Sequence, residues 1–111
     1  MSTKITKIET FAKSWAGAVK ITLDSGEEGW GQVSTFNADI SCTVLHRLVA
    51  QHFLGEDPEN LPRLLERAVE NTYKFPGSFT KRAITGIDTA VWDLLGKRAD
   101  KNVCALFGGT K

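Results

Sequence analysis

The chain has 111 residues, with 14 Lys and Arg against 13 Asp and Glu, and 41% of its residues are hydrophobic. This length fits one globular domain and excludes a complete (β/α)₈ barrel, which needs about 250 residues. The net charge of +1 argues against a nucleic-acid partner. The longest apolar run, Val103–Phe107, is far too short for a membrane span of about 20 residues.

Every second residue is apolar in the stretch 19–23, and the turn-forming sequence Asp-Ser-Gly follows it. This is the pattern of a strand that enters a hairpin. The stretches 5–12 and 29–33 supply its neighbours, so a three-stranded antiparallel meander is predicted. Ile5 and Ile8 fall on opposite faces of a regular strand, so a bulge or a two-sided environment is expected.

Beyond residue 34, apolar residues recur at helical spacing. The first helix is predicted over roughly 39–54, with Asp39 or Ser41 as its cap. A second helix follows the Gly-Glu-Asp-Pro break, and both Pro58 and Pro62 are expected in or before its first turn.

The third helix is predicted over 78–99 from an apolar stripe formed by Ile84, Ile87, Val91, Leu94 and Leu95. Gly86 inside it is expected to allow another backbone to approach closely. A short fourth helix is predicted at Val103–Phe107. The fold class is therefore α+β, with strands over about 4–33 and a bundle of three to four helices over about 39–107.

The N-terminal residues contain no apolar signal core, so a cytoplasmic protein is expected. Cys42 and Cys104 form no CxxC pair and are interpreted as buried thiols, with one disulfide between them as the alternative. The basic pairs Lys81–Arg82 and Lys97–Arg98 are interpreted as solvated helix positions.

The residues show no self-sufficient catalytic or metal site. His46 and His52 are six positions apart, off the i, i+4 spacing with which a helix holds a metal. Asp88 and Asp93 are five apart and point in different directions, so a salt bridge and a hydrogen bond are expected in place of a carboxylate pair. The glycines of Gly29–Gly31 lack the rest of a phosphate-binding loop and are attributed to packing against a backbone or the Trp30 ring.

Two predicted loops carry aromatic residues. The first, Lys13–Ala18, contains Trp15, and the second, Ser34–Ala38, contains Phe36 and Asn37. Two interpretations stand: the rings form a lid over a ligand, or each ring fills the core of the domain itself.

The string Ala83–Lys97, followed by Val103, Leu106 and the glycine pair 108–109, closely resembles the end of a known domain. It is similar to the N-terminal capping domain of the mandelate racemase and muconate lactonizing enzyme group in the enolase superfamily. The resemblance covers residues 4–109. One departure is Gln32, where many relatives carry Glu, which puts a family hydrogen bond or ion pair in doubt.

This resemblance implies an enzyme whose catalytic groups lie elsewhere. In the family, a TIM barrel follows the capping domain and supplies the acid/base residues and the carboxylates that hold Mg²⁺. No catalytic residue and no metal ligand is therefore assigned to this chain, and no cofactor is expected on it. By position, the resemblance implies substrate contact through Trp15, Phe36 and Asn37.

The function expected from the resemblance is that residues 1–111 are the capping domain of a racemase or dehydratase, with the barrel missing from this chain. The substrate would be a hydroxy acid or sugar acid, which is a small carboxylate, and the partners would be the barrel and further copies in a homo-oligomer. The alternative is a free-standing binding or assembly module that keeps the fold without the chemistry. The residues encoded after Lys111 would discriminate between the two.

Overall fold

A computed structural model describes residues 3–13, 15–33, 37–72, 74 and 77–98. Within them, three strands precede three α-helices, so the α+β class is confirmed. The predicted fourth helix at Val103–Phe107 lies outside the described residues. The elements in chain order are β1 (Ile5–Lys13), β2 (Ala16–Leu23), β3 (Glu28–Gln32), α1 (Ala38–Val44), a π-helical segment (Leu45–Val49), a 3₁₀ turn (Ala50–His52), a second 3₁₀ turn (Pro58–Asn60), α2 (Leu61–Asn71) and α3 (Ser78–Arg98).

The sheet is the predicted antiparallel meander, with strand order β1-β2-β3. The pairing register of β1 shifts between Ile5 and Lys7, which is the irregularity expected there. Because the extra residue turns the strand, Ile5 and Ile8 are both buried, at 0% and 8% exposure, although they are an odd number of positions apart.

The connection between β1 and β2 is shorter than predicted. Lys13 pairs with Ala16 across the ladder, so only residues 14 and 15 join the strands, and the expected loop Lys13–Ala18 is wrong. The small residues continue the strand because Gly17 lies against the core. A Cβ atom added there would lie 2.7 Å from the Val33 side chain and 3.0 Å from that of Ala38.

The first helix also differs from expectation. Its N-cap is Asn37, which makes no side-chain cap hydrogen bond, so neither Asp39 nor Ser41 caps it. Ser41 lies inside α1, fully buried. The predicted single helix is an α-helix continued by π-helical and 3₁₀ turns that end at His52. The spacing of apolar residues predicts which face of a helix is buried, but it does not distinguish α, π and 3₁₀ turns.

The second and third helices agree with their predictions. On α2, Leu61, Leu64 and Ala68 are buried, and Pro62 lies in its first turn. On α3, the core face includes the predicted residues Ile87, Val91 and Leu94, with Ile84 and Leu95 half-buried beside it. No helix in the described ranges is both long and apolar enough to cross a membrane.

Helix α3 lies directly on strand β3 because two glycines make room for it. A Cβ atom on Gly29 would meet the Ala90 carbonyl oxygen, and one on Gly31 would meet the Gly86 carbonyl oxygen. The packing explanation for these glycines is confirmed, and the space is taken by the helix backbone and not by the Trp30 ring.

Gly86 makes room mainly for side chains. A Cβ atom there would lie 2.8 Å from the Val33 side chain and 3.1 Å from that of Val19, with the Val33 main-chain nitrogen further away at 3.7 Å. A Cβ atom on Gly86 would therefore meet two valine side chains, while the Gly86 carbonyl lies against the β3 backbone at Gly31, so the close backbone approach expected at Gly86 is present.

Candidate functional site

The β1–β2 turn and the start of α1 lie at the same end of the sheet. The Val33 N–H, just past β3, donates a hydrogen bond to the Gly17 carbonyl at 3.1 Å. Strand β3 therefore ends beside the start of β2, two residues from Trp15. Ala38, the first residue of α1, also packs against Gly17. The structure thus brings Trp15 and Asn37 to one end, while Phe36 lies outside the described residues.

Trp15 projects into solvent. Its side chain is 65% exposed, and the Lys13 amine lies 5.6 Å from the centre of its ring. The core-filling interpretation is therefore wrong for Trp15. A large exposed ring on a tight turn is available for contact with another molecule.

Asn37 has a backbone role at the same end. Its φ of 50° is left-handed, a conformation that Asn tolerates better than most residues. Its carbonyl oxygen accepts the N–H groups of Ile40 at 3.0 Å and Ser41 at 3.2 Å. This geometry fixes the direction in which the chain enters α1.

The outward face of the sheet carries a second aromatic group that sequence reasoning missed. The rings of Phe11 and Trp30 stack at 5.7 Å, and the Lys20 amine lies 5.6 Å from the Trp30 ring centre. Lys20 also forms ion pairs with Glu9 at 3.4 Å and Glu28 at 3.6 Å. The strand register places these residues on one face, so a correct register would have revealed the group.

The titratable groups of α1 and of the helical turns that continue it are held in structural contacts. His46 shares a hydrogen bond of 2.8 Å with the Thr10 hydroxyl. Burial raises the pKa of the Cys42 thiol, which keeps it protonated and a poor nucleophile. Burial, with the nearby Arg67 charge, lowers the pKa of His52. Cys42 is buried and unpaired, and Cys104 lies outside the described residues.

Asp88 and Asp93 do not form a carboxylate pair. Asp93 accepts the Trp30 N–H at 2.8 Å and pairs with Lys97 at 3.0 Å, which confirms a hydrogen bond and a salt bridge for this residue. Burial raises the pKa of Asp88, opposed by a side-chain hydrogen bond with Trp92. One Asp88 oxygen, Oδ1, is buried without a hydrogen-bond partner.

Arg98 is not a simple solvated position, contrary to expectation. Its guanidinium pairs with Glu27 at 3.0 Å and Glu59 at 3.1 Å, and it donates to the Thr3 hydroxyl at 2.7 Å. These contacts join the end of α3 to three segments that are distant in sequence, and no local pattern reports such pairings.

The described residues do not fit a metal site. Across them, no three His, Cys, Asp or Glu side chains lie close enough together to hold an ion. Hard cations such as Mg²⁺ need several oxygen ligands converging on one point, so no step of chemistry is assigned to a metal on these residues.

Comparison with known proteins identifies the family. Residues 3–108 match the family described as mandelate racemase / muconate lactonizing enzyme, N-terminal domain. A D-galactonate dehydratase from Variovorax paradoxus is 32% identical over 109 residues, covering 96% of this chain and 28% of that protein.

Solved structures agree with this match. The crystal structure of a Roseobacter denitrificans protein proposed to be a racemase aligns at a TM-score of 0.91 with 51% identity, over 99% of this chain and 30% of that one. A mandelate racemase/muconate lactonizing protein from Paracoccus denitrificans, solved with magnesium, aligns at 0.89 with 30% identity, over 97% of this chain and 31% of that one. This chain therefore belongs to the mandelate racemase/muconate lactonizing enzyme family of the enolase superfamily, as its N-terminal capping domain.

Proposed function

We propose that this chain is the lid of a larger enzyme that removes a proton next to the carboxylate of a hydroxy acid or sugar acid, as a racemase or dehydratase. The observation that carries the proposal is the exposed Trp15 ring at the end of the sheet where Asn37 starts α1. The D-galactonate dehydratase from Variovorax paradoxus is more than three times as long as this chain, which spans 28% of it.

The residues of this chain indicate which tasks it would perform and which would belong to the rest of the enzyme. The chemistry, and the Mg²⁺ that supports it, would belong to a following barrel, because the described residues offer no group that could hold the ion. Trp15, Phe36 and Asn37 would contact the substrate and exclude water from it, which strengthens electrostatic interactions inside the closed site. We further propose a cytoplasmic homo-oligomer.

The test is turnover by the full-length enzyme carrying Trp15→Ala. Loss of a substrate-contacting ring is expected to lower kcat/KM by about tenfold or more, equivalent to about 1.4 kcal/mol of transition-state binding, with the melting temperature unchanged. Trp15→Phe should recover part of the activity because it restores a ring.

Val69→Ala is the matched control, because Val69 is 59% exposed on α2, an element that does not form this end of the sheet. If Trp15→Ala and Val69→Ala leave kcat/KM equally unchanged, the lid role of Trp15 is wrong.

A further inference from the structure

An open groove of about 810 Å³ runs between β3 and the first half of α3. One wall is the strand, through Trp30 and Gln32, and the other is the helix, through Lys81, Arg82 and Thr85. Neither Trp15 nor Asn37 lines this groove, so it is distinct from the end of the sheet described above.

The strand wall is the outer edge of β3, with which no other strand pairs among the described residues. The bonds from Val33 N–H to Gly17 and from Leu23 N–H to Glu27 define the hydrogen-bonded pairs of β2 and β3. Since these pairs alternate along an antiparallel ladder, the main-chain groups of Trp30 and Gln32 point away from β2. The short bond from the Trp30 N–H to Asp93 agrees with this direction.

Asp93 therefore occupies one of the hydrogen-bonding groups on the outer edge of β3. The Trp30 N–H is already bonded to Asp93. By the same alternation, the Trp30 carbonyl and both main-chain groups of Gln32 are directed to the outer side of β3, where both residues line the groove. This row of groups can accept a short added strand that starts level with Trp30 and runs past Gln32.

The helix wall supplies charge of one sign. Lys81 and Arg82 line the groove, and none of its lining residues is acidic. Lys81 is exposed, and the Arg82 guanidinium lies 5.7 Å from the Phe79 ring centre. An acidic side chain on an added strand would therefore meet complementary charge.

We propose that this groove binds an extended acidic segment of a partner polypeptide, which adds as a fourth strand at the β3 edge. Main-chain hydrogen bonds to Trp30 and Gln32 hold the segment, and its carboxylates lie against Lys81. The site stands independently of the lid role of Trp15.

The probe is the capped peptide Ac-Val-Glu-Val-Glu-Val-Glu-NH₂, titrated into the 111-residue chain with amide chemical shifts as the readout. The largest shifts are expected at Gln32 and in α3 around Lys81. The same peptide with Lys in place of Glu should not bind. Raising the salt from about 0.05 M to about 0.5 M should weaken binding severalfold, because the attraction is partly ionic.

Two variants separate the strand contact from the charge contact. Gln32→Pro removes an N–H that makes no bond to β2, and proline is tolerated at sheet edges, so binding should be lost while the amide spectrum stays folded. Lys81→Glu, on an exposed helix position, should weaken binding at least about tenfold through like-charge repulsion. Lys7→Gln, on the opposite edge strand, is the control and should bind normally.

Three results would overturn the proposal. One is peptide binding that Gln32→Pro leaves intact. Another is equal competition by free glutamate, which would indicate a simple anion site without strand addition. The last is the absence of shifts at Gln32 and Lys81 in the unaltered chain at millimolar peptide.

Discussion

The carboxylate of Asp93, on α3, accepts the main-chain N–H of Trp30, on β3, at 2.8 Å. This bond joins the helix to the outer edge of the sheet across 63 residues of sequence. It occupies an edge N–H that would otherwise face solvent or another strand. The same carboxylate pairs with Lys97 one turn along the helix.

Replacing Asp93 with Ala should destabilise the chain by about 1 to 3 kcal/mol, because the Trp30 N–H loses a charged acceptor. Asp93→Asn keeps an acceptor oxygen and should recover part of that loss. Lys97→Ala removes only an exposed i, i+4 ion pair and should cost at most about 0.5 kcal/mol. Urea unfolding measures all three, and equal costs for Asp93→Ala and Lys97→Ala would show that the Trp30 bond contributes nothing.

Gly31→Ala should destabilise the chain strongly. The added methyl group would meet the Gly86 carbonyl oxygen and lie 2.6 Å from the Ala90 nitrogen, so α3 must move away from the sheet. Overpacking of this kind costs about 1 to 3 kcal/mol and occasionally more.

The comparison variant is Gly55→Ala, where φ is +82° and a Cβ would meet nothing within 4 Å. Its cost is backbone strain alone, on the order of 1 kcal/mol. Thermal unfolding of both variants tests the packing account, which fails if Gly31→Ala is the milder of the two.

The ion pair of Arg98 with Glu27 should make stability depend on acid pH. The side-chain hydrogen bond from Arg98, and a second from Ser25, lower the pKa of Glu27. The folded state therefore holds this proton less tightly than the unfolded state. The resulting stabilisation is present above the unfolded pKa and is lost as the pH falls through the folded pKa.

The measurement is the melting temperature of the unaltered chain and of Glu27→Gln, taken at about pH 7 and about pH 3 at low salt. At the higher pH, the unaltered chain should melt at a higher temperature than Glu27→Gln. This difference between the two melting temperatures should disappear at the lower pH, where Glu27 is protonated. Glu66→Gln, on an exposed position of α2, is the control and should show no such pattern. A difference that grows as the pH falls would reverse the sign and refute the pairing.

Cys42 should react with thiol reagents only when the chain unfolds. Its side chain is buried, and burial raises its pKa, so both access and thiolate formation are restricted. The experiment uses Cys104→Ser, so that one thiol is counted, and compares labelling rates with and without denaturant. Rapid labelling of the native chain would contradict the burial of Cys42.

Local patterns in the sequence predicted much of the architecture. Alternation at 19–23 and the α3 stripe each reflect one buried face, and a single face is recorded in neighbouring residues. The meander, the irregular β1 and the bounds of α3 followed from such patterns. The family resemblance rested on the Ala83–Lys97 string and was confirmed by the match of residues 3–108 to the family.

The errors concern contacts between segments distant in sequence. The residues next to Arg98 in the sequence do not indicate that it pairs with Glu27 and Glu59. Likewise, the residues next to Gly17 do not indicate that the side chains of Val33 and Ala38 pack closely against it. The absence of a side-chain cap on α1 is a similar case, because the left-handed Asn37 starts the helix through its backbone. For the candidate site, sequence located Trp15, and the structure supplied its exposure.

The central claim is that the reactive groups lie outside these residues. The direct test is loss of the proton NMR signal at the carbon next to the carboxylate of mandelate and D-galactonate, with the 111-residue chain, Mg²⁺ and D₂O, because exchange and dehydration both remove that proton. The account predicts no loss above a protein-free control, while the full-length Variovorax D-galactonate dehydratase serves as the positive control for D-galactonate. Metal-dependent loss of this signal with the short chain alone, free of any longer enzyme, would contradict it.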